Sequence, residues 1–228
     1  LGSIKGLTQL LDEEFDEADK ARTYTKTMIK EIDRLNGVVT NLLNFSQPTQ
    51  SKFNYCDINE LLKQALGLVN LSVNKKQVNV VQSMDPNLPA FWGDGEKLVQ
   101  AFLNLLLNAV QAVNEGGTIS LTTAFDPNRV INKEGFAKGM ISIEIKNSGE
   151  PIPPEIISNL FDPFFTTKKD GTGLGLPITH QIVTLHRGEV ILTHTNGFTE
   201  FNIELPLAVP PEVEEESLMT DLKDKNDC

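Results

Sequence analysis

The segment from Asp94 to Val113 limits the possible folds more than any other part of the chain. Leu98, Val99, Ala101, Phe102, Leu103, Leu105, Leu106, Leu107, Ala109 and Val110 make a helix here apolar almost all round. A helix of that kind is buried inside a domain, and Asp94 stands where an N-cap is expected. Gln100, Asn104, Asn108 and Gln111, at steps of four, four and three, run through it as one polar stripe. A buried amide without a partner costs about 1–3 kcal/mol, so a line of four needs a reason. Gln100 and Gln111 read equally well as amides bonded to neighbouring backbone. Asn104 and Asn108 point to a ligand: an Asn oxygen is a hard donor suited to Mg²⁺, which takes few protein oxygens beside phosphate and water.

Around this helix the chain alternates strands and helices. Asp57-Ile-Asn-Glu60 has the form of an N-cap with a capping-box glutamate and predicts a helix to about Val69. Val78–Val81, Thr118–Thr123, Met140–Lys146, Val190–Thr193 and Glu200–Leu205 read as strands, with Asp126–Gly139 as a loop. A third helix is expected after Gly175, ending near Gly188. This order suits an α/β sandwich with helices on one face of a sheet.

A different pattern precedes it. Met28, Ile32, Leu35, Val39 and Leu42 recur at coiled-coil spacing, and Leu1, Ile4, Leu7 and Leu11 make a shorter stripe. With the acidic stretch Asp12–Asp19 as connection, this predicts an antiparallel hairpin whose second helix runs from about Glu17 to Phe45. Two helices bury two such stripes poorly, so a second copy is expected to complete a four-helix bundle. The fold class expected is therefore α+β: half of a dimeric bundle over residues 1–48, then a sandwich over 49–208. The boundary falls at Gln47–Lys52, and an acidic, mobile tail is expected over 209–228.

Charge narrows the partners. The net charge of −11 argues against nucleic acid. From Pro211 to Cys228 seven acids face two bases, which suits a solvated end, with a docked helix over Ser217–Lys223 as the alternative. No run of about 18 apolar residues is present, so no membrane contact is expected. Leu1–Leu11 does not have the form of a signal peptide. Leu1, in place of an initiator methionine, suggests a piece of a longer chain. Two distant cysteines fit a reducing cytoplasm.

Two glycine-bearing segments complete the pattern. Asn147-Ser-Gly-Glu-Pro-Ile152 ends a strand in a sharp turn, and Gly171-Thr-Gly-Leu-Gly-Leu176 feeds a helix. Glycines let backbone approach phosphates, and a helix N-terminus offers unpaired N–H groups. Phe161-Asp-Pro-Phe-Phe-Thr-Thr-Lys168 lies just before the second segment, and its Lys168 can reach a phosphate.

In this order and spacing the residues resemble the sensor histidine kinases of the gyrase–Hsp90–kinase–MutL ATPase superfamily, and the subgroup of nitrogen-regulation kinases in particular. Asn104-Leu-Leu-Leu-Asn-Ala109 is similar to the family's asparagine box, and Asn147–Ile152 to its first glycine box. Phe161–Phe165 resembles its phenylalanine box and Gly171–Leu176 its second glycine box. Leu1-Gly-Ser-Ile-Lys-Gly6 resembles the residues just after the family's His-Glu-x-x-Asn-Pro sequence. The resemblance covers roughly Leu1 to Pro206.

The resemblance implies ATP and Mg²⁺ as cofactors, with Asn108 on the metal and Asn104 beside the phosphates. It places Gly171, Gly173 and Gly175 around the phosphates with Lys168 near them, Asn147 and Thr199 at the adenine, and Gly149, Thr167, Thr172, Leu174 and Leu176 among the nucleotide-binding residues. Residues from about Gly149 to Gly171 would form a mobile lid pinned by Phe164 and Phe165. The implied activity is histidine autophosphorylation, with relay to an aspartate on a response-regulator receiver domain and dimerisation through the hairpin. The rival readings are a dimeric signalling module without nucleotide chemistry, and another ATPase of the superfamily.

Three departures stand out. The family's acceptor histidine would lie about six residues before Leu1; His180, His186 and His194 do not replace it, and His186 reads as a dipole-favoured helix end. Pro151 stands where the family has glycine, which stiffens that end of the lid. Asn147 stands where the family has an aspartate that accepts from the adenine amino group. Charged hydrogen bonds contribute about 1.5–3 kcal/mol and neutral ones about 0.5–1.5, so ATP binding is expected to be weaker by roughly 1 kcal/mol, several-fold in affinity. The variant Asn147→Asp should therefore tighten ATP binding several-fold in calorimetry; an unchanged affinity would contradict this reading.

Overall fold

The computed structural model describes residues 2–16, 19–46, 51–129, 139–168 and 171–207, the side chains at 34, 36 and 38–46 aside. Leu1, the side chains of Val39 and Leu42 of the stripes, the interruption at 47–50, the tail 209–228 and most of the Asp126–Gly139 loop lie outside what is described. The chain divides into two compact units: Leu1–Gln50 with Asp162–Leu174, and Ser51–Phe161 with Gly175–Cys228.

In the first unit, α1 (Gly2–Glu14) and α2 (Lys20–Ser46) form the hairpin. The Asp19 carboxylate accepts from Ala21 N at 2.9 Å, which starts α2 three residues later than the spacing suggests. Lys5 pairs with Asp33 at 2.6 Å. Between the helices lie Ile32 and two buried hydroxyls, Thr8 and Thr25. Thr8 donates to Ile4 O at 2.8 Å, and Thr25 donates to the Asp12 carboxylate. Ile4, Leu7, Leu11, Met28 and Leu35 are exposed, so the expected stripes mostly face outward rather than into the pair.

The second unit is built on a five-stranded sheet in the order β2 (Asn79–Met84), β4 (Thr118–Asp126), β5 (Met140–Ser148), β7 (Phe198–Pro206), β6 (Glu189–Thr195). β2 and β4 are parallel and the other pairs antiparallel. Alternate residues Ile119, Leu121, Ile143, Ile145, Phe201 and Ile203 are buried, the period-two pattern of a sheet covered on one face. The cover is α3 (Ile58–Lys75), α4 (Gly95–Ala112) and α6 (Gly175–Leu185), with α4 touching both of the others. This is the helical hairpin and α/β sandwich expected from the sequence. Among the described residues no helix is long and apolar enough to cross a membrane.

Several elements differ from the sequence reading. α3 continues past Val69 because Val73 gives its apolar face one more buried turn, while Asn70, Ser72 and Asn74 face solvent. It stops where Gln77 takes a positive φ of 53°. β1 (Asn54–Cys56) and β3 (Phe91–Gly93) form an additional antiparallel pair, too short to show alternation. A one-turn helix, α5 (Pro154–Ile157), lies inside the segment expected to be a lid. Burial pushes the Cys56 thiol, which donates to Phe91 O, up to about 11.

Both ends of α4 are tied down. At its start Asp94 accepts from Lys97 N at 3.2 Å and from Lys52 N at 3.0 Å. At its end the Lys76 ammonium donates to Val110 O, Gln111 O and Val113 O at 2.8, 3.2 and 3.0 Å, which satisfies carbonyls that the helix itself leaves unpaired.

His186 is structural, but not through a helix dipole acting on its charge. Its Nε2 accepts from Asp94 N at 2.9 Å, and Nδ1 lies 2.7 Å from Ile182 O. An acceptor Nε2 leaves the proton on Nδ1, so the buried ring, stacked on Phe53, is neutral. Burial lowers its pKa below 6.5. The unfolded chain therefore takes up a proton that the folded chain resists. His186 leaves stability intact above about pH 6.5 and erodes it as the pH falls through that value toward the lower folded pKa. The stability advantage of the natural chain over His186→Asn should thus shrink as the pH falls below about 6.5 in denaturant titrations; a constant difference would contradict the neutral assignment.

Candidate functional site

The amide stripe lies on the open flank of α4. Leu98, Ala101, Phe102, Leu105, Leu106, Ala109 and Val110 are buried. Gln100, Leu103, Asn104 and Asn108 are half-buried, and Leu107 and Gln111 are exposed. The helix is therefore not buried all round, as its composition suggests. Its apolar residues face α3, α6 and the sheet, while the amides keep access to solvent, so the full desolvation cost does not fall on them. Asn104 Nδ2 donates to Gly175 O at 3.1 Å. That carbonyl also accepts from Thr179 Oγ1 at 3.0 Å, so one oxygen joins the asparagine box to the start of α6. Leu176 comes next, half-buried, in the first turn of α6.

A second group lies at one end of the sheet. Asn147 on β5 and Thr199 on β7 are directly opposed and only 3% and 4% exposed. Asn147 Nδ2 donates to Ser148 O at 3.1 Å, which turns its oxygen the other way. Thr199 Oγ1 lies 3.2 Å from His194 Nδ1 on β6. Gly149 leaves β5 at φ 153°, and its backbone passes so close to the end of α4 that a Cβ would sit 2.9 Å from Ala112 O. No other residue fits there without strain.

The segment 162–174 belongs to the other compact unit and has its own closure. Phe164 N donates to Gly173 O at 2.9 Å. Gly173 has φ 66°, and a Cβ there would lie 2.4 Å from the Phe164 carbonyl carbon. Phe164 itself has φ 69° and an exposed ring. The Phe161 ring packs 5.5 Å from His180. Thr167 and Lys168 are exposed, and partial loss of water around the ammonium lowers the Lys168 pKa. Gly171 N donates to Lys168 O at 3.1 Å, and Leu174 N donates to Thr172 Oγ1 at 3.4 Å. Leu174 is fully buried.

The contact of His194 with Thr199 was not read from the sequence. The signal was present in Asn196-Gly197, both at positive φ in a two-residue turn. Such a turn fixes hairpin register, and counting outward from it pairs Thr195 with Phe198 and His194 with Thr199.

Comparison with known proteins agrees with the fold. The family described as histidine kinase-, DNA gyrase B- and HSP90-like ATPase matches residues 93–209, and the His Kinase A (phospho-acceptor) domain matches residues 1–51. The chain is 34% identical over 210 residues to the sensor histidine kinase ZraS of Escherichia coli (strain K12), which covers 92% of this chain and 43% of ZraS. It is 33% identical over 213 residues to the sensory histidine kinase/phosphatase NtrB of Salmonella typhimurium (strain LT2), covering 91% of this chain and 58% of NtrB. The nucleotide-free catalytic domain of histidine kinase ThkA superposes with a TM-score of 0.59 at 28% identity, over 69% of this chain and 97% of that one. The chain thus spans about half the length of the curated relatives it matches. With its boxes in order on a matching fold, the chain belongs to the histidine kinase-, DNA gyrase B- and HSP90-like ATPase family, among the sensor histidine kinases.

Proposed function

We propose that this chain binds ATP with Mg²⁺ as the dimerising and catalytic core of a histidine autokinase, whose phosphate passes to a response-regulator aspartate. The observation that carries the reading is the Asn104–Gly175 bond, which sets the amide stripe of α4 against the first turn of α6. A helix N-terminus after a glycine loop favours phosphate. An adjoining line of amides with access to solvent offers neutral oxygen donors to a phosphate-bound cation.

Each residue has its own role. Asn108 would hold Mg²⁺ through its side-chain oxygen, and Asn104 would order the phosphate end. Gly171, Gly173 and Gly175, with Thr167, Lys168, Thr172, Leu174 and Leu176, would enclose the phosphates. Asn147, Gly149 and Thr199 would receive the adenine, with the Asn147 oxygen accepting from its amino group. A single amide oxygen suits an ion held, for the rest, by phosphate and water. When bound, the ion neutralises charge that develops on the transferring phosphate.

The exposed Ile4, Leu7, Leu10, Leu11, Met28 and Leu35 support dimerisation, since a second copy would remove this surface from water. We assign residues 1–48 to that bundle, 49–208 to the nucleotide domain and 209–228 to a tail, and place the chain in the cytoplasm. None of the three histidines lies in the hairpin, so an assay of phosphotransfer needs the acceptor supplied. A second reading, a dimeric module without nucleotide chemistry, rests on Asn147 alone.

Calorimetric titration with ATP separates the two. Binding should require Mg²⁺ for full affinity, and Asn108→Ala should weaken it by about tenfold or more, the loss of a charge-assisted contact of roughly 1.5–3 kcal/mol. Absence of binding at millimolar ATP would favour the second reading.

A further inference from the structure

We propose that His194 is the positioning residue that sets which purine this site accepts, an inference that rests on the adenine-facing role given above to Asn147 and Thr199. Asn147, Thr199 and His194 occupy one register row across β5, β7 and β6. Directly paired residues project from the same face of a sheet, so the three side chains stand side by side. The first two are almost wholly buried, and His194, from the edge strand β6, is half-buried.

The hydrogen bonds within the row determine what it can offer. Asn147 is held by its Nδ2 donation to Ser148 O at 3.1 Å. Turning the amide over would set its oxygen against that carbonyl, so the row keeps an acceptor at Asn147 Oδ1. Thr199 has a single hydroxyl proton, and His194 Nδ1 lies 3.2 Å from its oxygen. A neutral imidazole carries its proton on one nitrogen or the other. With the proton on Nδ1, the ring donates to Thr199 and leaves the hydroxyl proton free to point away from it. With a bare Nδ1, the hydroxyl donates into the ring and offers only lone pairs.

The first arrangement presents an acceptor beside a donor. That complements a 6-aminopurine, whose amino group donates and whose adjacent ring nitrogen accepts. A 6-oxopurine carries the reverse pattern. An ionised carboxylate at position 147 would reject the 6-oxo group by charge, but the neutral Asn147 cannot. Asn147 Oδ1 then opposes the 6-oxo group only as a neutral, unpaired acceptor, so the direction of the Thr199 hydroxyl, which His194 controls, supplies the rest of the discrimination. Sites that hydrogen-bond a group reject analogues that leave their own polar atoms unpaired.

The test compares ATP with inosine triphosphate, which differs only at this edge, by calorimetry on the full chain with Mg²⁺. The natural chain should prefer ATP. His194→Leu should lose roughly three- to tenfold in ATP affinity with a smaller change for inosine triphosphate, the scale of one neutral hydrogen bond. His194→Asn, whose amide can donate from the place of Nδ1, should keep most of the preference. His194→Ser serves in place of His194→Leu if thermal unfolding shows the latter is not folded. An unchanged ATP-to-inosine-triphosphate ratio in the variants, with ATP still bound, overturns this inference alone. Failure of the natural chain to bind ATP overturns the nucleotide reading and this inference with it.

Discussion

The unit built on the five-stranded sheet depends on the fixing of α4 at both ends. Asp94 carries the first fixation. Its carboxylate caps the helix and takes the Lys52 amide, while its own N–H donates to His186 at the end of α6. Lys76 carries the second, with its ammonium on three carbonyls of the last turn. A helix held in this way cannot slide or turn without breaking several bonds between separate elements. Its amides therefore keep a defined position before any ligand arrives, which is the preorganisation that electrostatic work on a phosphate requires.

From that fixed helix the site extends in two directions. Toward α6, one carbonyl at Gly175 takes both Asn104 and Thr179, so the helix after the glycine loop is indexed to the amide stripe. Toward the sheet, the β5 strand ends in Gly149, which clears Ala112 at the end of α4, and the Asn147–Thr199–His194 row lies just before it. Of the groups proposed to meet the nucleotide, the amides of α4 and the start of α6 are thus joined directly, and the row at the end of β5 lies next to the end of α4.

Much of this was legible in the residues because the relevant signals are local. The Asp94 cap, the amide spacing and the glycine loop need only a few neighbours to be read, and the coiled-coil stripes name the hairpin. What escaped has a common cause: it depends on partners far along the chain. Leu107 and Gln111 sit on an apolar-looking helix, yet they are exposed, since only tertiary packing decides which flank is covered. His186 looked like a charged helix end until the Asp94 amide, 92 residues away, fixed it as neutral. β1 and β3 are three residues each, below the length at which alternation has meaning. His194 was accessible in principle through the Asn196-Gly197 turn, but only by reading register as well as strand composition.

The central claim is that α4 presents Asn108 to the metal of a bound nucleotide. The most direct measurement is the anomalous scattering of Mn²⁺ in crystals grown with a non-hydrolysable ATP analogue. The account predicts an anomalous peak between the phosphates and Asn108 Oδ1, at the roughly 2.1 Å of a metal–oxygen bond. A peak remote from Asn108, with the analogue ordered and the amide stripe of α4 touching neither metal nor phosphate, would contradict it.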